Sequence, residues 1–129
     1  INAALCGHFG CPVVLITGDT ATCEEGRSLL GPGLHSVVVK QGLGRFSARN
    51  TPPKTACSLI EAGARLSLQG PVLTKPYVPA KPTTITIDLS TSDSANRFMG
   101  RAGVQVVEPL KVVSQAPDWM TAWNQIWNF

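Results

Sequence analysis

The sequence predicts an α/β fold, a mixed sheet with flanking helices, belonging to the C-terminal portion of something longer. Three observations carry this expectation. Short apolar runs alternate with segments of helical period from end to end. One run, Val13-Val14-Leu15-Ile16, is continuously apolar, as in a strand buried on both faces of a parallel sheet, whereas TTITIDLS alternates Thr with Ile, as a two-faced strand does. The chain also opens with INAALCGHF, which reads as a helix interior with no capping residue and no charged first turn before it.

Taken in order, INAALCGHFG is a helix tail stopped by Gly10. The apolar strand follows Pro12, with Thr17-Gly18-Asp19 as the turn at its C-terminal end. TATCEEGRSLL is a helix capped by Thr20 or Thr22, with Glu24 and Glu25 favouring its first turn, and Gly31-Pro32-Gly33 ends it. LHSVVVKQ is rich in β-branched residues and reads as a strand, and GLGRFSARN as a glycine-bearing loop. Pro52-Pro53 starts a helix to about Gln69, with Leu59, Ile60, Ala64 and Leu68 near helical spacing.

GPVLTKPYVPAKP, within a possible internal linker over 70–82, is extended and proline-rich, either a crossing connection or a surface strap. After the TTITIDLS strand, TSDSANRFMGR is a short helix ended by Gly100. VQVVEPLKVVSQ holds one or two strands broken at Pro109. DWMTAWNQIWNF is amphipathic: Trp119, Trp123, Ile126 and Trp127 share helical spacing, and Asp118 suits the N-terminus. These tryptophans are too many for a bare surface, so they pack on this chain or on a neighbour.

At 129 residues and 43% hydrophobic, the chain suits one compact unit over 1–129 with a core of its own. Charged residues are 15%, low for a fully solvated surface, so some of it is expected to be covered. The net charge of +3 comes from scattered residues without interleaved aromatics, which argues against a nucleic-acid interface. No stretch has the length and apolarity of a membrane span. Four cysteines without CxxC spacing, long aliphatic runs and no signal peptide point to reduced thiols and a cytoplasmic protein.

Candidate chemistry is sparse. Cys6, His8 and Cys11 are ligand types for zinc, but on a helix Cys6 and His8 face different directions, and Cys11 lies past the helix end. The favoured reading makes Cys6 and Cys11 small buried apolar residues and puts His8 at an exposed helix end. The Thr17-Gly18-Asp19 strand end resembles a phosphatase element, but no upstream Asp-x-Asp nucleophile precedes it, so Asp19 is expected to bond local amides. Lys40 and Arg45 flank a lone Gly-x-Gly, which lacks the spacing of a phosphate loop. A solvated loop is favoured there, although basic residues beside it suit a carboxylate or phosphate.

The whole chain resembles the C-terminal half of the DppA-like D-aminopeptidases, a family of zinc metallopeptidases. Three stretches carry the resemblance in collinear order: INAALCGHFGCPVVLITGD, VVVKQGLGRFSARNTPPKTA and TTITIDLSTSDSANRFMGRAGVQVV. The resemblance implies removal of N-terminal D-residues from short peptides, two zinc ions in the full-length protein, and ring-like homo-oligomers, often decamers, with the active sites inside. It implies a C-terminal portion of a larger two-domain fold.

The resemblance also places the metal ligands, Asp, Glu and His, and the catalytic His upstream of this chain, with the last Glu just before the opening helix. No residue here is then a metal ligand or catalytic group, the chain alone binds no zinc and is inactive, and its partner is the N-terminal half of the same enzyme. Asn2 falls four positions after that Glu, on the same helical face, and is expected near the metal or substrate. Lys40 and Arg45 are expected to hold a peptide carboxylate. The alternatives are a non-catalytic α/β interaction module, using the TTITIDLS strand or the Trp helix, and a phosphatase-like enzyme dependent on Asp19.

Overall fold

A computed structural model describes residues 1–127. Asn128 and Phe129, which the sequence reading places at the end of the Trp helix, lie outside the described residues. The elements run α1 (Asn2–His8), β1 (Leu15–Asp19), α2 (Thr20–Leu30), β2 (His35–Gly44), β3 (Ser47–Asn50), α3 (Pro53–Ser67), β4 (Thr83–Asp88), α4 (Ser92–Asn96), β5 (Val104–Glu108), β6 (Lys111–Ala116) and α5 (Trp119–Trp127). They form a three-stranded sheet ordered β1-β2-β3 and a second ordered β4-β6-β5, so the fold is α/β with mixed and antiparallel pairing.

In the first sheet β1 runs parallel to β2, pairing Leu15 with His35 through Gly18 with Val38. Side chains alternate between faces, so Leu15 and Ile16 point opposite ways. Gly26 of α2 sits where a methyl would meet Ile16 Cδ1 at 2.8 Å, and Gly63 of α3 sits against Val37 and Leu15. Each face of the sheet therefore carries one helix, brought close by a glycine. The expectation that β1 is buried on both faces needs correction. Its residues are only half-buried and Thr17 is exposed, because β1 is an edge strand with no neighbour on its other side among the described residues.

The second sheet is antiparallel, with β6 central. Alternation in TTITIDLS turns Ile85 and Ile87 toward a cluster of Ala95, Phe98, Val104, Val112 and Ile126. Helix α5 closes this core with Ala122 and Ile126. Ser114 of β6 is fully buried beneath it, with its hydroxyl 2.9 Å from the Ala122 carbonyl and 2.7 Å from the Gln125 side chain. The three tryptophans occupy the neighbouring face of α5 and stack on one another. Ring centroids are 5.8 Å apart for Trp119–Trp123 and 5.2 Å for Trp123–Trp127.

Between α3 and β4 the proline-rich segment runs without regular structure. Its Leu73 packs on Gly33, and its Tyr77 carbonyl presses on Gly7 of α1.

Several local expectations differ from what is found. Gly42–Asn50 is not a loop: β2 continues to Gly44 and turns back at Arg45-Phe46 to pair with β3. Thr17-Gly18-Asp19 belongs to β1 instead of forming a turn. The cap of α2 is Asp19, whose carboxylate accepts the Thr22 N–H at 2.8 Å, instead of Thr20 or Thr22. Glu24 and Glu25 lie beyond the first turn, which has no acidic residue. Helix α3 ends at Ser67 instead of near Gln69; Leu59 on it and Leu68 just past it are exposed, whereas Ala56, Ile60, Gly63, Ala64 and Ser67 form the less exposed side.

Candidate functional site

Strand β1 ends at Asp19, where α2 begins, and β2 passes beside it. In α/β sheets ligands collect at the carboxyl ends of parallel strands. A shallow cavity of about 310 Å³ lies here, lined by Thr20, Val38, Lys40, Gln41, Arg49, Asn50 and Thr51. The strand register irregularity at Gly18/Asp19 sets Lys40 opposite Asp19. The Asp19 carboxyl is held below its ordinary value, first by the Thr22 N–H and hydroxyl and then by the Lys40 charge. Lys40 is then a cation at the rim of this cavity, a group that suits an anionic partner through a charge-assisted hydrogen bond.

Arg49, in a segment that reads as a loop, lies on β3. In the hairpin Arg49 pairs with Gln41 and Asn50 with Lys40, so strand alternation puts the Arg49 side chain on the face opposite Lys40. Arg45 does not line the cavity. It sits at the hairpin turn, stacked over Phe46 with 5.2 Å from its guanidinium carbon to the ring centroid. Asn2 is exposed in the first turn of α1, a helix that packs against α5. The three residues singled out from sequence thus do not line one cavity.

A larger cavity, about 480 Å³, opens between α1, the proline-rich segment and the start of α5, with Ala4, Gly7, His8, Val78, Pro79, Lys81, Asp118 and Trp119 around it. Asp118 is already used as a helix cap. It accepts the Thr121 N–H and hydroxyl, both at 2.9 Å, and these bonds, with a smaller contribution from Lys81, hold its carboxyl low.

Cys6 and Cys11 correct the expectation that both are buried: Cys6 is half-buried and Cys11 exposed. Among the described residues no three His, Cys, Asp or Glu side chains converge as a metal site. No helix among them is long and apolar enough to cross a membrane.

The sequence profile of the D-aminopeptidase family matches residues 1–127. A D-aminopeptidase of Bacillus subtilis (strain 168) is 24% identical over 125 residues, covering 96% of this chain and 45% of the relative. The solved structure of the Zn-dependent D-aminopeptidase DppA from Bacillus subtilis, described as a self-compartmentalizing protease, superposes with a TM-score of 0.85 at 23% identity. That superposition covers 97% of this chain and 46% of that one. The chain therefore spans just under half the length of the relatives it matches.

Proposed function

Because the chain belongs to the D-aminopeptidase family, we propose that it is the C-terminal scaffold part of a zinc-dependent aminopeptidase that removes N-terminal D-amino acids from short peptides. The observation that carries this reading is the combination of an end-to-end family match with coverage of only 45% of the relative. The described residues do not supply a zinc site. No step through the metal is assigned to this chain, and its ligands are assigned to sequence outside these 129 residues.

The part played by this chain is then positioning. Asn2, at the start of α1, orients a metal ligand or the substrate. Lys40 holds the peptide carboxylate, and Arg45 at the hairpin turn lies at the rim of the chamber. Two features support a covering partner segment: the open edge of β1 and the exposed apolar side chains of Ile1, Phe9, Leu66, Leu68 and Leu73. The working form is a ring of identical subunits in the cytoplasm.

The test is to assay a D-alanyl dipeptide with added zinc, using the chain alone and then with the polypeptide that bears the ligands. The chain alone is expected to be inactive and the reconstituted pair active. In the pair, Asn2→Ala is expected to lower zinc affinity or activity about 10–100-fold, the usual effect of losing a group that orients a metal ligand. Full activity of the chain alone refutes the assignment of the ligands elsewhere, and unchanged zinc affinity and activity in Asn2→Ala refutes the role of Asn2.

A further inference from the structure

Helix α1 ends in a Schellman motif, and both outer positions of that motif are cysteines. Gly10 takes the left-handed conformation, at φ +72°. Its N–H donates to the Gly7 carbonyl at 3.0 Å, and the Cys11 N–H donates to the Cys6 carbonyl at 2.9 Å. In this ending the residues joined by the six-to-one bond, here Cys11 and Cys6, are the positions whose side chains frequently come into contact across the turn.

Covalent geometry bounds their separation. The Cα of Cys6 lies about 2.4 Å from its own carbonyl oxygen, and the Cα of Cys11 about 1.5 Å from its nitrogen. With the 2.9 Å hydrogen bond between them, the two Cα atoms are at most about 6.8 Å apart, within the span that a disulfide bridges. Both can be reached, Cys11 being exposed and Cys6 half-buried, whereas Cys23 is buried in α2; Cys57 is exposed on α3. All four thiols are free.

We propose that Cys6 and Cys11 form a dithiol that closes to an intramolecular disulfide by exchange with a small disulfide such as oxidised glutathione. The exposed Cys11 thiolate attacks one glutathione sulfur, the glutathione S–S bond breaks, and one glutathione thiolate leaves. The Cys6 thiolate then attacks the Cys11 sulfur of the mixed disulfide and expels the second glutathione. Cys6 and Cys11 are oxidised, one glutathione disulfide is reduced to two thiols, and these carry away the two cysteine protons. The bridge ties the exit of α1 to its own last turn, and reduced glutathione in excess reverses it. This inference is independent of the peptidase reading.

The experiment incubates the folded protein with oxidised glutathione, traps remaining thiols by alkylation, and maps peptides by mass spectrometry. The expected result is a Cys6–Cys11 bridge, seen as two hydrogens lost and two alkylation sites lost, with no glutathione on either residue. Cys6→Ser is expected to trap glutathione on Cys11. Because the wild-type map is decisive by itself, the proposal does not depend on the variant folding. It is overturned if Cys11 keeps glutathione beside an alkylated Cys6, if either bridges to Cys23 or Cys57, or if both stay alkylated.

Discussion

Replacing Gly7 by Ala tests how the proline-rich segment is held. Gly7 is buried in the last turn of α1, and a Cβ there would overlap the main-chain carbonyl of Tyr77. The obstacle is backbone, so relief requires α1 or the segment to move by something on the order of an ångström. Overpacking of this kind costs about 1–3 kcal/mol, and a main-chain obstacle places Gly7→Ala near the top of that range. Alanine returns about 1 kcal/mol of helix propensity. The net loss is about 2 kcal/mol. With a urea slope of about 2 kcal/mol per molar, the unfolding midpoint should fall by about 1 M. Gly100→Ala is the control. Gly100 has φ +77° and nothing within 4 Å of its added methyl, so its cost is about 1 kcal/mol from the backbone alone. An unchanged or raised midpoint for Gly7→Ala would refute the claim that the segment is pressed onto α1.

Thr74 lies in the same segment and is 7% exposed, with Oγ1 buried and lacking a hydrogen-bond partner among the described residues. Thr74→Val removes that unsatisfied group and should raise stability by about 1 kcal/mol, read by urea denaturation. Asp19 and Asp118 both have carboxyls held below the ordinary 3.8. Their contribution is therefore present above that pH and is lost as pH falls through the lower folded values. Asp19→Asn and Asp118→Asn should each flatten the fall of stability below pH 3.8, followed by circular dichroism. In the reconstituted enzyme, Lys40→Ala should raise KM about tenfold with little change in kcat, as expected for loss of a charge-assisted bond to a substrate carboxylate. Arg45→Ala should raise KM less, and an unchanged KM would remove Arg45 from the substrate path.

Much of the fold was legible because period and punctuation agree. Alternation in TTITIDLS marked β4 and its buried face, Gly10 stopped α1, Pro109 separated β5 from β6, and Asp118 opened α5. The β2–β3 hairpin was hidden because Gly42, Gly44 and the Arg45-Phe46 turn read as one loop. Pairing with β3 supplies the hydrogen bonds that the local sequence does not advertise. The cap of α2 was missed for a similar reason. Asp19 ends a strand and caps a helix without an intervening residue, so the sequence reads as a turn there and points to a cap one or three residues late, at Thr20 or Thr22. The faces of β1 and α3 were misjudged because an apolar run predicts burial in a whole assembly. This chain alone leaves the β1 edge and the Leu59 and Leu68 side open.

The central claim is that these residues are the scaffold half of a zinc D-aminopeptidase. The most direct test is native mass spectrometry, with zinc analysis and a D-dipeptide assay, on the assembly purified from its source. The account predicts that zinc and activity travel together with a further polypeptide segment that bears the Asp, Glu and His ligands. An active, zinc-loaded assembly built only of the 129-residue chain would contradict it.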